Sequence, residues 1–303
     1  MKQKIINGIL YGIAAAFWWG IVGVFYFKSV AFVNHIELVV HRTIWTAFIL
    51  ILTTTYLSKW NIVFSIIKDF KKLSTLFLSG LLIFTNWGIW IYAVVTNRLV
   101  DASFGYYIFP ILSVFFGIVF FKEPKNKNKI ISILLVFLAI IILLFSFKSL
   151  PWIGLGVALS WSFYALTRKK ANVPPDVGLF IETLLLSPIA ILIFYFIAKE
   201  GNNFFTFTDL NLAFTLFLAG LITLAPLYFY LKGLELSGLG TSGMIFFFTP
   251  TCQFLLGIFY YEESFSIVKL LSFCIIWIAV FIYLKDLNSG FKKSTINDSN
   301  SNA

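Results

Sequence analysis

Glu37, His41 and Arg42 stand together in the stretch ELVVHRTIW, at the head of a run that is otherwise apolar as far as Leu57. Side chains of these types can bind an anion, carry a proton or form an ion pair. Glu37 and His41 are four apart and share a helix face, which Trp45 continues. Arg42 falls about 9 Å along the axis from the start of the run. Two readings are open. Arg42 can snorkel to a membrane interface while Glu37 stays among headgroups, or the trio can line a wet vestibule, because ionisable groups within membranes mark substrate or ion pathways. The second is favoured, since Glu182 occupies an equivalent place in the other half of the chain. A pairing of Arg42 with Glu37 or Glu182 in one state of a cycle is open to it.

Other polar groups sit deep in apolar runs. Asn86 and Trp90 lie one turn apart in TNWGIWIY, and an amide there must bond either a neighbouring helix or a ligand. DASFGYYIFP supplies Ser103, Tyr106 and Tyr107 ahead of Pro110. The tyrosines suit a cavity, and equally an interfacial aromatic belt. Gln253 follows Pro250 by three residues. The candidates for a substrate cavity are therefore Arg42, His41, Asn86, Trp90, Ser103, Tyr106, Tyr107 and Gln253; those for gating or coupling are Glu37 and Glu182. Glu123, Glu262 and Glu263 close apolar runs and are expected to be solvated. Lys232 and Glu235 are expected to form a surface pair.

The chemistry that is missing narrows the function. The chain has 2 histidines and 2 cysteines, and Cys252 and Cys274 both fall inside apolar runs. It holds no HExxH helix and no Cys/His cluster, so neither a catalytic set nor a metal site is expected. No glycine-rich phosphate loop is present, so no nucleotide is expected to drive it. No cofactor is expected.

The elements that must hold these residues follow from composition. Of 303 residues, 60% are hydrophobic and 12% charged, and mean hydropathy is +0.93; soluble domains carry about 25% charged residues. The apolar residues come in blocks of about 20, enough for a helix to cross a hydrocarbon layer of about 30 Å. Ten crossings are expected near 6–27, 36–57, 76–95, 102–121, 130–147, 152–167, 177–198, 214–231, 241–261 and 268–284. The net charge of +10 reports orientation rather than a nucleic-acid partner. With the N-terminus in the cytoplasm, seventeen of the 23 basic residues fall in inner segments and five in outer ones, a positive-inside bias. Both termini are then cytoplasmic, and the polar tail 286–303 is expected to be disordered.

Shifting the chain by 140 residues lays GLLIFTNWGIW over GLITLAPLYFY, and superposes Pro110 on Pro250 and Glu123 on Glu263. A slightly larger shift pairs Trp18 with Trp161 and Glu37 with Glu182. The repeat is five helices, 1–148 and 149–285, and an odd number makes the second copy inverted. Inverted repeats place a binding site between the halves near mid-membrane. Pro110 and Pro250 each delete a helix hydrogen bond, to Tyr106 and Phe246, and are expected to break their helices beside that cavity.

ELVVHRTIW, the NW of TNWGIW, DASFGYYIFPILSVFFGIVFFKEP, LTRKK and IETLLLSP, in this order, make the chain resemble the RarD branch of the EamA family, within the drug/metabolite transporter superfamily. The resemblance runs from about Gly8 to Leu284. It implies an all-α integral membrane permease of ten helices in two inverted five-helix repeats, set in a bacterial inner membrane. The family's traditional label, chloramphenicol-sensitive protein, names no substrate. His41, Arg42, Asn86, Trp87, Ser103, Gly105, Tyr106, Pro110, Glu182 and Pro250 match its motifs. Asp101 and Phe109 depart from it, standing where the family has Glu and commonly Asn. The expected function is secondary active transport of a small metabolite or drug-like molecule by alternating access, with proton coupling open to the glutamates and His41. The alternatives are a non-transporting membrane subunit and a membrane-embedded enzyme.

Overall fold

The computed structural model describes residues 2–96, 99–124, 126–144, 152–260 and 267–301. Among these the chain is helical, with no strand. In order, α1 (Lys2–Phe17) passes through a π-helical turn (Trp18–Val22) into α2 (Gly23–Ser29). Then follow α3 (His35–Tyr56), α4 (Trp60–Lys68), α5 (Phe70–Val95), α6 (Leu99–Phe121) and α7 (Lys127–Leu144). The remainder comprises α8 (Trp152–Ala171), α9 (Pro175–Lys199), α10 (Leu210–Ser237), α11 (Leu239–Ile245), α12 (Phe248–Phe259) and α13 (Ile267–Ser301).

Helix starts follow local chemistry. The Asn34 side chain accepts from the Ile36 N–H at 2.8 Å to open α3. Asp69 and Asp209 do the same for α5 and α10 through the Lys72 and Leu212 N–H groups, and Pro175 opens α9 where a missing N–H is harmless. Lipid offers backbone groups no partner, so apolar helices of this kind are the form in which such a chain crosses a bilayer.

Among the described residues, five stretches are long and apolar enough to cross a membrane: Gln3–Ser29, His35–Tyr56, Phe70–Val95, Pro175–Lys199 and Leu210–Ser237. The other expected crossings fall on α6, α7, α8, the α11–α12 pair and α13. Between α3 and α5 the structure adds α4, a short helix the block length alone does not reveal. It buries Val63 and Ile66 and exposes Ile62 and Phe64.

The proline expectation needs correction for Pro110. α6 continues through Pro110, because one lost hydrogen bond is insufficient to end a helix packed along its length. In the second half the helix is interrupted at Phe246 and Phe247, between α11 and α12, and Phe246 is the residue whose helical bond Pro250 deletes. Pro250 then sits in the first turn of α12, where a missing N–H is tolerated. The tail also differs: the backbone of α13 stays helical to Ser301, and no proline interrupts 285–301.

α1 packs on α10, α3 on α9 and α10, α5 and α6 on α8, α6 on α11, and α7 on α13. A close approach of backbones uses Gly105, where an added Cβ would collide with the Gly154 carbonyl oxygen of α8. The main apolar cluster, from Ala15 and Phe27 through Trp161 to Phe246, surrounds the centre of the bundle. A smaller one joins α6, α7, α11 and α13 around Val136, Met244 and Tyr283.

Candidate functional site

At the centre lies a cavity of ≈ 30 Å³, room for about two waters. Trp19, Phe27 and Arg42 form one side, and Asn86, Trp87 and Trp90 of α5 another. Tyr106 of α6, Trp161 of α8, and Phe246 and Gln253 from the α11–α12 region close it. The π-helical turn carries Trp19 to the cavity while the neighbouring Trp18 Nε1 donates to the Ile222 carbonyl at 3.2 Å.

Arg42 is 4% exposed. Its Nε donates to Thr223 Oγ1 of α10 at 2.9 Å. Its guanidinium carbon lies 4.7 Å from the centre of the Trp87 ring and 4.9 Å from that of Phe27. Aromatic faces attract such a cation by about 0.5–2 kcal/mol each. Among the described residues no carboxylate comes within ion-pair distance of it, so the expected pairing with Glu37 or Glu182 is absent from this conformation.

Asn86 does the work of a helix clamp and also borders the cavity. Its Nδ2 donates to the Val157 carbonyl at 3.1 Å and to Ser160 Oγ at 3.0 Å, both on α8. Trp161 is the hub of an aromatic wall, with ring centres of Tyr230 at 4.9 Å, Trp19 at 5.3 Å and Phe246 at 5.6 Å. Phe109, fully buried, joins the same wall against Trp161 and Phe246. Of the residues that line the cavity, three carry a buried polar atom without a hydrogen-bond partner among the described residues: Trp90 Nε1, Trp161 Nε1 and Gln253 Oε1.

Two carboxylates lie at opposite ends of the bundle, and both are fully buried. Glu37 accepts the Phe204 N–H at 2.9 Å and the Phe205 N–H at 3.0 Å, tying α3 to the α9–α10 connection. His41 Nδ1 accepts from Trp45 Nε1 at 3.1 Å, which leaves Nε2 to carry the hydrogen that faces Glu37 at 3.4 Å. His41 therefore steadies Glu37 and does not line the cavity. At the other end Glu182 accepts from Ser79 Oγ and, at 3.4 Å, from Tyr164 Oη. Arg168 Nε lies 3.2 Å from Glu182, close enough for an ion pair though not aligned as a hydrogen bond.

Arg42, Asn86, Trp90, Tyr106 and Gln253 are thus brought together at the cavity. Tyr107 belongs instead to the smaller cluster, its ring 6.4 Å from that of Phe247. Ser103 is on α6, its side chain outside those described, as are Glu262 and Glu263. Glu123 is not simply solvated: it accepts the Leu239 N–H at 2.7 Å and the Gly240 N–H at 3.2 Å, capping α11 beyond Gly238, whose φ is +88°. Lys232 and Glu235 do pair, at 2.8 Å. Nearby, burial holds the Lys169 ammonium below its usual range, against the opposing pull of Glu123 and Glu235, while it donates to the Leu234 carbonyl at 2.8 Å.

Sequence reasoning missed Arg168, which LTRKK presents as one of three consecutive basic residues, and the walls built by Trp19, Trp87 and Trp161. The match of Trp18 with Trp161 under the repeat was the available signal.

The pattern of the EamA-like transporter family matches residues 6–145 and again 149–285. The chain belongs to the EamA family. It is 33% identical over 280 residues to Protein RarD of Salmonella typhi, covering 92% of this chain and 95% of that one. It is 31% identical over 287 residues to the uncharacterized transporter YojE of Bacillus subtilis, covering 91% and 93%. A crystal structure that is 14% identical superposes with a TM-score of 0.64 over 91% of this chain and 95% of the other, a likeness of fold alone. As an EamA protein of the RarD type it is a multi-pass membrane protein, and its two family matches meet where the sequence repeat divides the chain.

Proposed function

We propose that this chain is a secondary transporter that carries a small molecule across the bacterial inner membrane by alternating access. Its ten crossings form two inverted halves, 1–148 and 149–285, with both termini and the 286–303 tail in the cytoplasm. The observation that carries the reading is the cavity, whose polar and aromatic walls come from both halves: Arg42, Asn86 and Tyr106 from the first, Trp161, Phe246 and Gln253 from the second. The helix pairings support it as well. The contact of α1 with α10 has its counterpart, with the halves exchanged, in that of α5 with α8, as an inverted duplication requires.

The end that carries Glu37 is then the outer one, and the end that carries Arg168 and Glu182 the inner. Each is fastened by a buried carboxylate, so opening either side requires those bonds to part. Relatives named as transporters fit this reading. An ion or substrate gradient supplies the energy, with Glu37 and Glu182 as the groups through which a proton would couple.

The test uses protein in which Cys252 and Cys274 are replaced and a single cysteine is introduced by Gln253→Cys. A membrane-impermeant thiol reagent is applied to right-side-out and to inverted vesicles. Alternating access predicts labelling from both faces. Labelling from one face alone contradicts it and favours a non-transporting subunit.

A further inference from the structure

The two buried carboxylates and Arg168 all have charged or strongly bonded partners inside the protein. Among the described residues Arg42 does not. Its hydrogen-bond partner there, Thr223, is neutral, and the rings of Phe27 and Trp87 lie over its guanidinium. Among the described residues that line the cavity it is the one charged group. Two indole N–H donors, Trp90 Nε1 and Trp161 Nε1, are buried beside it with no acceptor. A positive charge and two idle donors around one cavity lack the same thing, an anion.

We propose that the transported substrate is a small organic anion, an aromatic carboxylate whose charged end sits on the Arg42 guanidinium. The planar, two-pronged fit of guanidinium to carboxylate suits that end. Trp19, Trp87, Trp161 and Phe246 present ring surfaces to the flat body, and the idle Gln253 Oε1 accepts a hydroxyl or amide hydrogen on it. A zwitterion fits poorly, because its ammonium would enter a cavity lined by no described acid beside an existing cation. At ≈ 30 Å³ the cavity is smaller than that body, so binding it requires the surrounding rings to part. This rests on the transport reading above.

Purified protein is titrated at constant ionic strength, under fluorescence thermal melting, with four probes of one body: benzoate, benzamide, benzylammonium and phenylalanine. Benzoate raises the melting temperature, as a ligand of the folded state must, and the other three leave it within error. Arg42→Gln removes the benzoate response, weakening binding at least tenfold, while Arg42→Lys retains part of it. If Arg42→Gln does not fold, the probe series on the native protein still decides. Equal shifts from benzamide, or larger ones from benzylammonium or phenylalanine, overturn the proposal. So does chloride competing with benzoate at equal concentration, which would mark a plain inorganic anion site. Two-sided labelling of the Gln253→Cys protein is independent of all these outcomes, so a wrong substrate class is distinguishable from a wrong transport reading.

Discussion

Arg42 and Glu182 are both charged and both buried, and their surroundings treat them in opposite ways. Glu182 is enclosed by Arg168, Ser79 and Tyr164, whereas Arg42 faces a cavity with aromatic rings for neighbours. In the transport reading proposed above, the first arrangement fastens one end of the bundle and the second is open to a guest. Removing one member of a buried ion pair costs about 3–5 kcal/mol because the survivor is left uncompensated, while removing both costs less than the sum. Glu182→Gln and Arg168→Gln should therefore each lower stability by about that amount, and the double variant should lower it by less than the two together. Denaturant melts of the protein in detergent, run as a double-mutant cycle, check this; strict additivity would mean that the two side chains do not act as a pair.

Helices are positioned by small residues as much as by large ones. At Gly105 an added side chain meets the backbone of α8, while nothing lies within 4 Å of a Cβ built on Gly88. Gly105→Val should destabilise by about 1–3 kcal/mol, as overpacking does. Gly88→Ala should be neutral or slightly stabilising, since a helical glycine is less favourable than alanine by about 1 kcal/mol. Thermal melting of the two variants separates these outcomes. Much at this scale was legible in the sequence. Block length placed α3 and α5 to within a few residues at their ends near 36, 57 and 95, because a hydrocarbon layer imposes that length. The π-helical turn at Trp18–Val22 and the break at Phe246–Phe247 were not legible. Both are local adjustments to what packs opposite; Gly20 within the first and Pro250, which deletes the bond to Phe246, near the second permit them without fixing their form.

At the scale of the molecule, the matched landmarks suggest a division of the chain near 148, and the family pattern matches on either side of it, at 6–145 and 149–285. The candidate site was half legible. Deep polar residues such as Arg42, Asn86 and Gln253 announce themselves by their cost in lipid, but which of them share a space depends on helix rotation, so His41 and Tyr107 were misassigned to it. Arg168 hid among basic neighbours, because a charge run looks the same whether one member turns inward or not.

The central claim is that two halves rock about one cavity, with Glu37 fastening the outer side and Glu182 and Glu123 the inner. Spin labels on Phe32→Cys and Phe207→Cys report the outer separation, and labels on Lys122→Cys and Glu235→Cys the inner one, by pulsed electron–electron distance measurement in lipid nanodiscs. The account predicts that Glu37→Gln shifts the outer pair toward longer distances and the inner pair toward shorter ones. A single unchanged distance for both pairs, in native and variant protein alike, would contradict it.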